Sequence, residues 1–542
     1  MKPAELARAW RTLRHLRREQ VTGQLRRRLR GPAAPLAIPA DPRLRALRPR
    51  AAFLPAPAHA RFTPPARVRL LNREVDFRER VDWSFAAEGP LWSYHLHQFD
   101  WLRGPELDAA SRAGLVLDWI AACAAGPGWD PHPTSLRLFS WAKLLLTPGA
   151  LHFSADEEAR VRASLARQAA TLAANLETHL LANHYLSNLL AVALAAVLFE
   201  GELSHELRRR ARPLRSELAD QILADGAHSE RSPMYHSLLL ENVLDLLNAD
   251  ADARDGVLVE ALREAASRML GALRVWTHPD GEIALFADAA FGIAHPPGAL
   301  EAYAAVLGIV PSGPARPGAL EAAGYARLES PPFTLIASLA GPMPAHQPGH
   351  AHCDALAFEL SVGRERVVTD TGVFEYVPGS RRDLARSTRA HATLEVGGRE
   401  QAELWAAHRV GGRPEVRCVA LVPGRRVEAS CAGWSTPDTL HRRVFEVRDG
   451  SLEIRDTLEG RQRPVRFALP LAPGLGVLLE GSRARLRLRG GLGLEIALPD
   501  GVSWRVAEAP YFPEFGRSLE RPVLVGDADS FRAGTWRFRV QT

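Results

Sequence analysis

PSGPARPGALEAAG, residues 311–324, is the stretch on which the fold turns. Its prolines and glycines stop any helix that reaches it. Before it, from about residue 105, apolar side chains recur at three-to-four spacing. DEEARVRASLARQAATLAANLETHL (156–180) is one such run, with acids in its first turn. SHELRRRARPLRSELADQIL (204–223), LLLENVLDLLNA (238–249), GVLVEALREAASRMLGALRVW (256–276) and ALEAYAAVLG (299–308) are others. They come as pairs with short connections, which predicts stacked helical hairpins. After the boundary the period changes to two. YARLES, FTLIASLA, LAFELSVG, RVVTDTG, ATLEVGG, RRVFEVRDG, SLEIRDTLEG, RARLRLRGG and LGLEIALPDG are short strands divided by turn residues. That spacing predicts an antiparallel β-sandwich. The reading is α+β in two domains: helices over 67–315, a sandwich over 316–542, and ahead of both a basic helix and Pro-rich linker or wrapping arm over 1–66.

Composition narrows the function classes. The chain has 542 residues, 46% hydrophobic and 24% charged, the balance of an ordinary globular protein. Lysine occurs only at Lys2 and Lys143; the other basic residues are arginine, which pairs with carboxylates and phosphates in bidentate fashion. The basic residues are dispersed and no nucleic-acid-binding motif is present, so nucleic acid is not an expected partner. Four cysteines form no CxxC pair. No apolar segment follows the basic start MKPAELARAWRTLRHLRREQVTGQLRRRLRG, and LLAVALAAVLF (189–199) is too short to span a bilayer. These features point to the cytoplasm or the inner face of a membrane, with the basic N-terminus contacting anionic lipid or lying solvated.

Four clusters hold residues able to do chemistry. LANHYLSNLL places Asn183, His184 and Asn188 in an apolar helix, the last two on one face. DGAHSERSPMYH (225–236) brings Glu230, Tyr235 and His236 to a helix start, where anions are favoured and a phenolate is stabilised. GHAHCDALAFEL (349–360) reads as a strand with His350, His352 and Asp354 on one face. RVVTDTGVFEY and RRDLARSTRAHATLEVGGREQAELW add Asp370, Arg386, Arg389, His391 and Trp405. Two imidazoles and a carboxylate, from His352, His391 and Asp370, make a donor set that suits Zn²⁺; a metal-free His/Asp network is the other reading.

Taken in order, NHYLSN, DGAHSERSPMYH, HPDGEIALFAD, GHAHCD…LAFEL and RSTRAHATLEVGG with the downstream QAELW resemble the heparinase II/III family of polysaccharide lyases. The resemblance covers roughly residues 85–410. It implies an incomplete (α/α) toroid followed by an antiparallel β-sandwich. It implies β-elimination on a uronic-acid-containing polysaccharide, with Asn183 or His184 neutralising the carboxylate, Tyr235 as acid and one candidate base, and His350 as the second candidate base. It assigns His352, Asp370 and His391 to a mainly structural Zn²⁺, with Asp354 as support. The family pattern continues His-Asn-Thr after the last ligand; here Ala392 replaces the asparagine. Arg137, Trp141, Asn188, Glu230, His236, Arg386 and Trp405 are candidates to contact substrate. A non-catalytic glycan-binding or assembly factor in exopolysaccharide biosynthesis is the alternative. A glycoside hydrolase is a third class, and would need paired carboxylates among Glu230, Asp280 and Asp288.

Overall fold

A computed structural model describes residues 3–250, 255–313 and 318–541; part of the boundary stretch, 314–317, lies outside them. The change of period at that boundary is a change of architecture. Helices dominate the described residues from Pro90 to Val306, and antiparallel sheets dominate after the boundary.

The helical part is organised around Ala182–Leu198, in which every residue except His184 is buried. A helix apolar on all sides has to be central. Pro131–Leu146, Ala155–Ala174, Gly201–Ala211 and Pro233–Ala249 pack around it. Local signals set the boundaries. Ser154 and Glu157 form a reciprocal capping box, and Asn175 ends that helix, leaving the expected tail 176–180 as loop. Pro213 splits the expected run 204–223 into Gly201–Ala211 and Leu214–Gln221. Among the described residues no helix is long and apolar enough to cross a membrane.

After the boundary come a five-stranded sheet (319–368), a four-stranded sheet, an eight-stranded sheet and a two-stranded one (404–410), with every strand pair among the described residues antiparallel. One apolar core draws on all three, including Leu335, Phe358, Phe445, Phe467, Leu524 and Phe538. A second core joins the two halves: Trp276 and Val275 of the helix Gly256–Trp276 meet Tyr325 and Ile336 of the five-stranded sheet. Buried polar contacts reinforce it, with His278 between Ser361 (2.8 Å) and Glu359 (2.9 Å).

Two expectations need correction. The linker assigned to 1–66 does wrap the toroid, through Arg45 N–H to Leu198 O (2.8 Å) and Glu200 N–H to Arg43 O (3.0 Å). Yet a small sheet, Arg61–Thr63, Arg67–Leu70 and Arg73–Asp76, straddles the boundary placed at residue 66. Its alternation was hidden by the surrounding prolines and arginines. GHAHCDALAFEL is not a strand until Phe358. Residues 349–357 are a loop whose amides bond elsewhere: Cys353 N–H to Arg386 O (3.0 Å), Ala355 N–H to Gln401 Oε1 (3.0 Å). His350 and His352 therefore owe their directions to loop geometry and not to strand alternation.

Candidate active site

The helical wall of the site begins at an uncommon turn. Leu181 and Ala182 have φ of 60° and 51°, a left-handed backbone that costs non-glycine residues energy. It aims the start of Ala182–Leu198 at Glu230. The Asn183 backbone N–H donates to Glu230 Oε1, and its amide Nδ2 donates to both carboxylate oxygens, each at 2.8 Å. Burial opposes the Glu230 charge, but His350, His228 and the Asn183 bonds outweigh it and hold its pKa below the ordinary value. His184 is the residue this helix exposes. Its Nδ1 lies 3.2 Å from Glu177 Oε1, and its ring stacks on His132 at 4.3 Å. Burial works against the His184 cation; Glu177, by charge and hydrogen bond, and Glu230 prevail and raise its pKa.

The second wall is the helix Pro233–Ala249, capped by Ser232. Tyr235 lies in its first turn, with its ring stacked on His350 at 4.0 Å and 30°. Its hydroxyl shares a 2.8 Å hydrogen bond with that of Tyr376. The helix start was expected to stabilise a phenolate. The opposite holds: burial, with the nearby Asp288 and Glu230 charges, pushes the Tyr235 pKa well up, so the side chain is a neutral phenol.

The third wall is the 349–357 loop. His350 Nδ1 lies 2.9 Å from Asp288 Oδ2, and its Nε2 lies 3.4 Å from Glu230 Oε2. Asp288 is fully buried and bridges the site. It accepts from His352 Nε2 at 2.8 Å and from both terminal nitrogens of Arg382. Burial disfavours its charge, but Arg382 and these hydrogen bonds hold its pKa well below the carboxylate range. A cavity of about 110 Å³ adjoins the cluster, lined among others by Asn183, Tyr235, Tyr376, His132, His95 and Lys143.

His352, Asp370 and His391 converge behind this cleft. All three are buried, and one donor atom from each lies within 4.8 Å of the others. Asp370 Oδ2 accepts from His391 Nδ1 at 2.8 Å. The remaining ring nitrogens, His352 Nδ1 and His391 Nε2, are buried and have no hydrogen-bond partner among the described residues. Orphaned buried imidazole nitrogens are costly, and a divalent cation would satisfy both. The donor set therefore fits Zn²⁺. Asp354 accepts from Ser338 Oγ at 3.5 Å, and its charge favours the His391 cation.

Several expected substrate contacts are structural instead. Arg137 is fully buried; it donates to Gln168, Thr134 and the carbonyls of His97 and Gly128, and lies 4.1 Å from the Trp119 ring. Trp141 packs edge-on against Phe99 and Trp119. His236 is buried against Met269 O and the His228 amide. Arg386 spends its donors on the carbonyls of Ala351, Ala406, Ala407 and Arg409. Trp405 is covered by the N-terminal helix, donating to Thr12 Oγ1 at 3.1 Å. Asn188 fixes Glu177, donating to Oε2 at 3.1 Å and accepting from its backbone N–H at 2.8 Å. Glu230 borders the cleft, but its oxygens are held by Asn183.

Sequence reasoning passed over Tyr376, Arg382, Glu177, His132 and His408. Tyr376, Arg382 and Glu177 sit inside stretches already singled out, so position within a motif was the available signal. Asp288 was considered only as a hydrolase carboxylate, a role its saturation by His350, His352 and Arg382 does not suit.

Helices joined to antiparallel sheets, with Asn183 and Tyr235 of the helical part gathered with His350 of the other around Glu230, define a two-part architecture with one shared cluster. Family models agree: the heparinase II/III N-terminus matches residues 150–296 and the heparinase II/III-like C-terminal region matches 312–527. The chain belongs to the heparinase II/III-like family. Its fold is that of a crystal structure of heparinase III (TM-score 0.67, 15% identity, 85% of this chain and 79% of that one). The heparan sulfate lyase HepC of Pedobacter heparinus is similar in the same way (TM-score 0.57, 17% identity, 89% of this chain and 81% of that one). A curated relative, FtsZ-localized protein C of Caulobacter vibrioides, is 29% identical over 297 residues, 53% of this chain and 49% of the relative. The match thus spans about half the length of that relative.

Proposed function

We propose that the protein is a polysaccharide lyase that cleaves a uronic-acid-containing glycan by β-elimination. The observation that carries this reading is the Tyr235 ring stacked at 4.0 Å on His350, whose Nε2 lies 3.4 Å from the Glu230 that Asn183 holds. In the proposed reaction His184 receives the uronate carboxylate. It is part-exposed and favoured as a cation, whereas the Asn183 amide is already committed to Glu230. Neutralising the carboxylate acidifies the C5 proton and stabilises the enolate-like charge, the largest expected term. His350 takes the proton at Nε2, with Asp288 fixing the other nitrogen. The C4–O4 bond breaks as the C4=C5 bond forms, and Tyr235 gives its proton to O4. A phenol held protonated suits the acid role and not the base role, so the two assignments separate.

A hydrolase mechanism is less well supported. Glu230 and Asp288 are both near His350, but both are buried and bonded at every oxygen, leaving neither to act as acid or to activate water. His352, Asp370 and His391 would hold Zn²⁺. Bound there, it would supply a structural cross-link between loops behind the cleft. One observation favours the alternative of a glycan-binding or assembly factor: the curated relative carries a name stating a location and no reaction. Ultraviolet absorbance separates the readings, because elimination creates a conjugated unsaturated uronate. A signal on uronate polysaccharides that vanishes in Tyr235→Phe establishes the lyase. Silence across such a panel, with glycan binding retained, establishes the binding role.

A further inference from the structure

The first two helices, α1 (Pro3–Leu13) and α2 (Arg18–Arg30), sit on the protein with their polar faces inward. From α1, Arg11 pairs with Glu403 (2.6 Å), Arg8 lies over the Trp405 ring (5.1 Å) and Thr12 accepts from Trp405. From α2, Gln20 donates to Leu180 O (3.2 Å) and His346 O (3.1 Å), and Arg27 donates to His179 (3.1 Å). Gly23 lies so close that a β-carbon there would meet Thr178 Oγ1 at 2.9 Å.

The apolar residues point the other way. At about 100° per residue, Leu6, Trp10 and Leu13 fall in an arc of about 60° opposite Arg8, Arg11 and Thr12. Val21, Leu25 and Leu29 fall in an arc of about 80° opposite Gln20, Gly23 and Arg27. All six are exposed, from 45% for Val21 to 78% for Leu29. Arg26 and Arg28 flank the α2 stripe, and the Arg14 guanidinium lies over the Trp10 ring at 5.1 Å. A water-facing helix normally turns its apolar side to the protein; both of these do the reverse.

Charge identifies what covers them. Residues 1–30 carry ten basic and two acidic side chains, +8, while the whole chain is +6, so the remaining residues sum to −2. A second copy would bring +8 against +8. An anionic bilayer offers both an apolar layer for the stripes and phosphates for the flanking arginines, whose stems reach back along the helix to the headgroups.

We propose that α1 and α2 form a docking surface for anionic lipid bilayers. Gln20 binds Leu180, three residues before Asn183, and His346, four before His350, so the docked pair clamps the two sides of the cleft rim. The proposal does not depend on what the cleft does.

The test is co-sedimentation of the full chain with phosphatidylcholine vesicles and with mixed phosphatidylcholine–phosphatidylglycerol vesicles, which add the anionic surface. Binding to the anionic vesicles only, weakening with salt, and falling at least tenfold (about that much for two lost apolar anchors) in Leu25→Glu/Leu29→Glu is expected. Both positions are exposed, and circular dichroism checks that the variant folds. Trp10 fluorescence should shift to the blue on binding. A wild-type chain left in the supernatant overturns the proposal, as does a double variant that pellets unchanged. So does a dimer in light scattering that the double variant splits while no vesicle binding is seen. Tyr235→Phe should bind vesicles like wild type, which separates this test from the fate of the lyase reading.

Discussion

His350 and His352 are two residues apart on one loop, and both bond to Asp288, yet their surroundings differ in kind. His350 is part-exposed, stacked on Tyr235 and within 3.4 Å of Glu230. His352 is fully buried, its second nitrogen turned toward Asp370 and His391 with no hydrogen-bond partner among the described residues. One carboxylate thus anchors a part-exposed histidine, to which the proposed reaction gives the proton transfer, and a buried one, to which the same proposal gives a metal. The lesson is that ionisable residues in one motif are sorted by which side of a shared anchor they occupy. That sorting is made by tertiary packing and not by local spacing.

The largest expected effects break the cleft side. Tyr235→Phe removes the acid while keeping the ring stacked on His350, so the elimination rate should fall by about 10²–10⁴-fold with unchanged melting temperature. His350→Ala should cost as much in rate. Retention of more than a tenth of wild-type activity in Tyr235→Phe, measured by absorbance of the unsaturated product, would remove tyrosine from the acid role.

The buried side should respond in stability and metal content. Protein purified without added metal should carry one Zn²⁺ per chain by elemental analysis, and His391→Ala should carry none. His352→Ala leaves Asp288 short of a partner in a site with no water access, a loss of roughly 1.5–3 kcal/mol for a hydrogen bond to a charged group. His350→Ala should cost less, since solvent can reach its place. If the two variants melted alike, or if the metal content were zero, the distinction drawn between the neighbours would fail on its metal side and leave the cleft side standing.

Sequence motifs singled out Asn183, Tyr235 and His350, and the structure gathers these three at Glu230, with Tyr235 stacked on His350. The two-domain fold was legible because the change of hydrophobic period at 311–324 needs no tertiary information. Arg137, Trp141, His236 and Arg386 misled for one reason: an arginine, aromatic or histidine near a motif looks the same in sequence whether it faces a sugar or fills a core. Each is buried, and each polar one spends its donors on backbone carbonyls or neighbouring side chains. Tyr376 and Arg382 were missed because their partners, Tyr235 and Asp288, are 141 and 94 residues away. No local pattern reports such a pairing.

The smallest expected effect is in pH dependence, and it tests whether His184 receives the carboxylate. Glu177 raises the His184 pKa above its ordinary value of about 6.5, against the cost of burial. If the imidazolium is the binding form, kcat/KM is full below the raised value and lost as pH rises through it. Glu177→Gln removes the raising influence, so the alkaline limb should move to lower pH, with KM affected more than kcat. Folding provides an independent readout with the opposite sign. Burial works to raise the Glu177 carboxyl, but His184, His132 and Asn188 hold it down to about 2. Its contribution to stability is therefore full above about pH 4.5 and lost as pH falls toward 2. Glu177→Gln should be the less stable protein near neutral pH and should lose less on acidification. An alkaline limb that stays in place while the acid stability changes would keep Glu177 as a structural partner of His184 and return the uronate to Asn183.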